Sequence, residues 1–427
     1  VLKRKFFYWL TISNFLYIIV LLILAGITIA ALSGDNGILT RASESKEKTE
    51  EAQEKEGIEL AITSSQMEDV NTLEITEEKL SDAIKQQFGN NKDFSVTDNE
   101  DGSFLVKMND TKRMYYIDKT GEIIEQSNML KISTAEELKT FRDDVNKGNT
   151  YEGWYIYMTN NITLDNEEEW TPIGKYDSTS TNPDDEVNKC FMGIFDGKFH
   201  KISNLNINST EKGKGLFAII KQATIKNLGI DSGNISSSSS IGGIVGYAYN
   251  NAKIINCYNN ATITGGDRYV GGIVGYARIN VSIENCYNSG TIIGKYNAGG
   301  ISGEINDSKI LNCYNIGNIN ATETPIGGIS GVIINNSSII NSYNTGNITT
   351  TKNSNKVGAI IGYLKESIAE NCYFLENIVN ESNGNIIIEG TTPTTSEELK
   401  KLHSILGTSF KEDTNNINNG YPIFQWQ

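Results

Sequence analysis

From Phe6 to Leu32 the chain is almost uninterruptedly apolar, and from Phe15 to Leu32 it carries no charge. At ~1.5 Å per residue a helix of that length crosses most of a bilayer core. Lys3, Arg4 and Lys5 precede it, so the positive-inside rule puts the first residues in the cytoplasm and everything after Gly34 outside. We read residues 1–34 as a transmembrane anchor of a single-pass cell-membrane protein with an extracellular body. A signal peptide cut near Ala31 and Ser33, and hence secretion, is the alternative. The pattern then turns polar. Glu44 with Lys48 and Glu51 with Lys55 are i,i+4 pairs on a helix with few apolar anchors, as in a solvated stalk over residues 35–66.

Residues 67–130 alternate differently. Leu80, Ile84 and Phe88 fall at i, i+4 and i+8, with Gly89 as a stop. Asp93–Thr97, Gly102–Lys107 and Met114–Ile117 read as strands separated by Asp, Asn and Gly turns, an antiparallel meander ending near Glu125. Together they predict a small α+β unit.

The rest of the chain is periodic. The segments GGIVGYAYNNAKIINCYN, GGIVGYARINVSIENCYN, GGISGEINDSKILNCYN, GGISGVIINNSSIINSYN and GAIIGYLKESIAENCYF start at 242, 271, 299, 327 and 358, with a degenerate copy from Gly215. Consecutive starts fall 29, 28, 28 and 31 residues apart. A fixed period of this length marks a solenoid. Each repeat offers three short β-branched segments, such as Gly272–Ala277, Val281–Cys286 and Gly290–Ile293. We therefore predict a mainly β chain, a right-handed parallel β-helix preceded by the transmembrane and stalk helix and the small α+β unit. The solenoid occupies residues 211–390, with lead-in coils at 131–210 and a C-terminal cap at 391–427. Two capping boxes, Ser133-x-x-Glu136 and Thr395-x-x-Glu398, open short amphipathic helices that cover the ends.

Three columns recur within the repeat. Asn256, Asn285, Asn312, Asn341 and Asn371, with Asn227 in the degenerate copy, mark a corner where asparagine takes the left-handed conformation and bonds along an amide ladder. Cys257, Cys286, Cys313 and Cys372 follow as small inward groups, a structural role that Ser342 and Leu228 share. Tyr258, Tyr287, Tyr314, Tyr343 and Tyr373 come next, an exposed aromatic ladder or a platform on which sugar rings stack.

Composition narrows the possibilities. The chain has 427 residues, 40 Gly, 5 Pro and a formal charge of −15. The acidic residues gather between Asp35 and Asn128, and the span Glu211–Thr350 holds 9 Lys+Arg against 7 Asp+Glu. No basic stripe exists to displace counterions from phosphates, which excludes a nucleic-acid partner. Five cysteines, spread singly, form neither a C-x-x-C metal site nor a disulfide framework.

Two resemblances follow from these residues. The run IIVLLILAGITIAALSGDNGIL (18–39) with TRASESKEKTEEAQEKE after it resembles the stem of type IV pilin-like proteins of Gram-positive bacteria, over residues 15–130. Pilins carry a Gly before this stretch and a Glu at its fifth position. Phe6–Ser33 has no Glu and no Gly at that place, which favours a simple anchor. GGIVGYA with CYNxG is similar to the GLUG repeat of bacterial surface proteins, found in adhesin-like proteins and beside some immunoglobulin A peptidases, over about residues 150–390. WTPIG (170–174), FDGKFHKI (195–202) and NGYPIFQWQ (419–427) resemble the usual opening coils and ending of such proteins.

Catalytic constellations are missing from the sequence. Asp267–Arg268, Glu284, Glu304 and Asp307 are scattered singly where glycoside cleavage needs paired carboxylates. The chain has 2 His, His200 and His403, and neither sits in a zinc-binding His-Glu-x-x-His. Glu167–Glu169 and Asp184, Asp185 and Glu186 read as solvated loops, with Ca²⁺ binding in an entry loop as the alternative. We expect a non-enzyme without cofactor or metal: a cell-surface adhesion or interaction module on a membrane-anchored stalk, contacting the membrane through its N-terminal helix and a glycan or host-surface protein through its body. A minor pilin-like subunit with a β-helix head is the alternative, and a carbohydrate-active β-helix enzyme comes third.

Overall fold

The structure, a computed structural model, describes residues 38–67, 75–89, 92–98, 103–117, 121–124, 128–177, 188–352, 354–379 and 386–427. The expected membrane anchor, residues 1–34, lies outside them. Among the described residues no helix is long and apolar enough to cross a membrane. Backbone contacts divide the chain into two units, Val1–Gln126 and Ser127–Gln427.

In the first unit, helix α1 (Ile38–Met67) and helix α2 (Glu77–Phe88) accompany a four-stranded antiparallel meander, β1 (Phe94–Asp98), β2 (Phe104–Met108), β3 (Met114–Ile117) and β4 (Ile123–Ile124). Thr76 caps α2 through Lys79 N, and Gly89 at φ 64° ends it. The solvated stalk needs correction. Ile58, Ala61, Ile62 and Ser65 lie at i, i+3, i+4 and i+7, and this stripe is buried in one core with Leu80, Ile84 and Val106. Glu54, 1% exposed, receives hydrogen bonds from Lys92 (2.9 Å), Arg113 (3.2 Å) and Tyr115 (3.1 Å). Burial opposes its ionisation, but the bonds from Lys92 and Arg113 outweigh that and hold its pKa below the usual glutamate value.

The second unit is a parallel β-solenoid. From Ile207 to Leu375 each coil contains five short strands rather than the three expected. In one coil these are Thr262–Gly265, Val270–Gly271, Val274–Arg278, Ser282–Glu284 and Tyr287–Asn288, which we assign to sheets a to e. Glycine and left-handed asparagine corners kink the chain between them. Sheets a, b and c have six strands, and sheets d and e have nine. Ile225, Ile254, Ile283, Ile310 and Ile339 stack in register inside sheet d, and Ile235, Ile263, Ile292, Ile319 and Ile348 inside sheet a. Each buried isoleucine stabilises the stack by roughly 1.5–3 kcal/mol.

Two amide ladders run through this core. At the corner after sheet d, Asn256, Asn285, Asn312, Asn341 and Asn371 sit at φ 51–52°. Each Nδ2 donates to the Oδ1 of the asparagine one coil earlier, at 2.7–3.2 Å, back to Asn227. Asn227 in turn donates to Asp196 (3.1 Å). A second ladder escaped the sequence reading: Asn259, Asn288, Asn315 and Asn344, each 0% exposed. Here Nδ2 donates forward, from Asn259 to Asn288 (2.8 Å), Asn288 to Asn315 (2.9 Å) and Asn315 to Asn344 (2.8 Å), and also to the carbonyl two residues on, as from Asn288 to Gly290 (2.8 Å). These amides explain a repeated glycine. A Cβ on Gly272 would stand 2.4 Å from Asn288 Cγ, and one on Gly300 would stand 2.3 Å from Asn315 Cγ.

At the N-terminal end, helix α3 (Ala135–Lys147) sends Leu138, Phe141 and Val145 into the solenoid core, with the Phe141 ring 5.6 Å from Phe191. Its capping box lies one residue later than expected, Thr134 with Glu137, because Thr134 rather than Ser133 holds the extended N-cap conformation. Thr395 and Glu398 do form the second box. The segment after it does not lie over the last coil as a lid. Leu399, Leu402, Leu406, Phe410 and Phe424 pack instead along sheet e, against Tyr314 and Tyr343, where a ready apolar column exists to receive them.

The inner ladder predicts a steep cost for breaking it. Asn288→Ala leaves Asn259 without its forward acceptor and Gly290 O without its donor, and lowers stability by ~2–4 kcal/mol. Gly300→Ala is at least as damaging, and urea denaturation midpoints of the two variants check both.

Candidate functional site

Corner geometry turns the residue after each left-handed asparagine inward. Cys257, Cys286, Cys313 and Cys372 are all 0% exposed. Each coil's group receives a backbone N–H from the coil before: Cys257 N donates to Cys286 Sγ (3.4 Å), and Cys313 N donates to Ser342 Oγ (3.1 Å). Serine therefore fits this place as well as cysteine. Burial pushes the Cys257 and Cys286 thiols well above their ordinary pKa and that of Cys372 up to about 12.

The tyrosines that follow stack as one column. Tyr258–Tyr287, Tyr287–Tyr314 and Tyr314–Tyr343 have ring centroids 5.1, 4.9 and 4.9 Å apart and planes within 8°. Tyr373 breaks away to donate to Asn371 Oδ1 (2.8 Å). The column was expected to be exposed, yet Tyr314 and Tyr343 are 1% and 0% exposed. The chain's own C-terminal segment covers them. Tyr314 Oη donates to Gln427 Oε1 (2.9 Å), Tyr343 Oη to the Pro422 carbonyl, and Asn418 Nδ2 to Tyr343 Oη (2.8 Å). Trp426 lies 6.0 Å from Tyr287 and reaches Phe199 at 5.7 Å. Of the five expected platform residues, Tyr258, Tyr287 and Tyr373 remain half-exposed.

A different column carries more chemistry. On the outer face of sheet c, the position of the tyrosine in GGIVGYA is filled in successive coils by Ile219, Tyr247, Tyr276, Glu304, Val332 and Tyr363. Tyr276 stacks on Tyr269 at 4.6 Å and 11°, and meets Tyr247 edge-on at 5.1 Å. Glu304 lies beside them, 8% exposed, with Asn297 Nδ2 donating to its Oε2 (2.8 Å). Burial pushes the Glu304 pKa up to about 7, against the Asn297 hydrogen bond and the charge of Arg268. The same burial pushes the Tyr247 phenol up to about 12.

In the sequence, Glu304 and the Asp267–Arg268 pair look like unrelated solvated charges. The period brings them together. The Asn297 carbonyl accepts from Val270 N (3.0 Å), which sets the Arg268–Tyr269 turn beside Asn297, while sheet c pairs Tyr276 with Glu304. Among the described residues no group of three or more His, Cys, Asp or Glu is placed to hold a metal ion. Asp184, Asp185 and Glu186 lie outside the described residues, and Glu168 pairs with Lys139.

Comparison with known proteins places this geometry. The GLUG motif matches twice, at residues 237–264 and 266–293, so the solenoid carries GLUG repeats. The match lies wholly in the solenoid and gives no support to a pilin-like stem. A search of curated proteins finds no match. Among solved structures, a "putative immunoglobulin A1 protease from Bacteroides ovatus" is 26% identical with a TM-score of 0.57, over 71% of this chain and 94% of that one. An "IgA1 Protease" is 19% identical with a TM-score of 0.43, over 70% of this chain and 25% of that one. The likeness to the first overturns the expectation of a non-enzyme, which rested on motifs absent from the sequence.

Two measurements follow from the burial described here. The thiols of Cys257, Cys286 and Cys372 resist iodoacetamide in the folded protein and react only after unfolding, as mass spectrometry of the alkylated peptides reports. Glu304 is ordinarily ionised above about 4.5 when unfolded and holds its proton to about 7 when folded. The native state therefore binds more protons in that window, so stability falls as pH rises from 4.5 to 7. Glu304→Gln removes this contribution, and melting temperatures taken across the window show a flatter profile than the wild type.

Proposed function

We propose that this chain is a surface-displayed recognition module whose β-helix engages a glycoprotein or glycan partner outside the cell, in the setting of immunoglobulin proteolysis. The observation that carries this reading is the solenoid's likeness to the Bacteroides ovatus protein over nearly all of that chain. The shape suits the role. A stack of coils presents long flanks of weak net charge, on which a macromolecular partner finds many small contacts rather than one deep cleft. Lys3–Lys5 followed by Phe6–Leu32 supports anchoring of the body at the membrane.

The test is direct. The full chain, immobilised, is exposed to immunoglobulin A1, to the same protein stripped of its glycans, and to host-matrix glycoproteins, with bound and cleaved products both recorded. Saturable retention or cleavage of at least one of them is the expected outcome. If none is retained or cut, the proposal fails.

A further inference from the structure

We infer that the outer face of sheet c holds a binding subsite for a neutral pyranose sugar, built by Tyr269, Tyr276, Asn297, Glu304 and Arg268. It deepens the recognition role proposed above by naming the ligand class, and rests on that reading only for the biological source of the sugar.

The case begins with the cost of Glu304. Its column is otherwise apolar or aromatic, from Ile219 and Tyr247 to Val332 and Tyr363. A carboxylate buried to 8% exposure in that setting costs stability unless its oxygens are bonded. Among the described residues Asn297 is the only donor to it, and it reaches Oε2 alone. The other oxygen, Oε1, is not among the buried atoms left without a partner, so it faces solvent at the rim of the outward face, where it is an acceptor open to a ligand hydroxyl.

The surrounding groups then select the ligand. Tyr269 and Tyr276 stack in near-parallel and are half-exposed, which offers an aromatic face to the C–H side of a sugar ring. Arg268 is exposed and close enough for its charge to act on Glu304, and Arg278 is exposed one position beyond Tyr276 and Ala277 on the same strand. The charges of Arg268, Asp267 and Glu304 all act on Tyr269, so the carboxyls offset the guanidinium groups and no strong net charge draws a cation or an anion to the rings. A neutral ring with vicinal hydroxyls suits such a face, since it donates to Glu304 and accepts from Arg268. The Glu304 pKa near neutrality adds that the carboxyl also donates when protonated. The stacked column on sheet e lacks these polar partners at its covered end, where Phe410 and Phe424 already fill the contact.

Isothermal titration of the full chain with lactose, N-acetyllactosamine, maltotriose and cellotriose tests the assignment, with sialyllactose and pentalysine as charged competitors. Saturable binding of at least one neutral sugar is expected, weakened by about tenfold or more in Tyr276→Ala and Glu304→Gln. Arg268→Ala, at an exposed turn, weakens it too and serves where Tyr276→Ala fails to fold, as judged by circular dichroism. Silence with all four neutral sugars, binding unchanged in the folded variants, or preference for pentalysine or sialyllactose overturns the subsite. Immunoglobulin binding that persists in Glu304→Gln while sugar binding is silent would sink this inference and leave the recognition role standing.

Discussion

The central coils of the solenoid depend on one buried constraint, the inner row of asparagine amides. Asn259, Asn288, Asn315 and Asn344 have no access to water, so their amide hydrogens must find partners inside the protein. They find them in the next coil and in their own turn. That requirement fixes each coil over its neighbour, since a shift of one residue would leave several amides unbonded at once. It also dictates glycine opposite, at Gly272 and Gly300, where a side chain would occupy the amide's space. Register enforced inside the core then sets what meets what outside.

The two tyrosine columns show how much the outside can vary once register is set. Both arise from tyrosine at a repeated position. On sheet e the rings stack face to face and become the seat of the C-terminal segment, with Leu399, Leu402, Leu406, Phe410 and Phe424 laid along them. On sheet c the sequence departs from tyrosine at Glu304 and Val332, and the column becomes a mixed surface of rings, an amide and a carboxyl. A departure from the repeat at a position that the core does not control is where a repeat protein acquires chemistry.

The sequence made some of this legible and hid the rest, for physical reasons. Repetition is a strong signal, so the period, the parallel stack and the left-handed asparagine corner could all be read before the structure. The inner asparagines stay hidden in the sequence because an asparagine next to a tyrosine expected at the surface gives no sign of burial. The stalk was misread because Ile58, Ala61 and Ile62 form only a short stripe among many charges, and their burial depends on strands that follow much later. The Glu304 cluster is invisible one residue at a time. Its members lie at positions 268, 269, 276, 297 and 304, and only coil-on-coil register makes them neighbours. The C-terminal segment kept its capping box but not its expected place, since capping is local and docking is not.

The two amide ladders also point in opposite directions. The corner asparagines donate toward the N-terminal end of the stack and the inner ones toward the C-terminal end. Each ladder taken alone would add its amide dipoles head to tail, as peptide units do in a helix. Run antiparallel, side by side, they oppose each other coil by coil. A coil that carries both asparagines therefore adds less net side-chain dipole along the stack than a coil that carries either one alone.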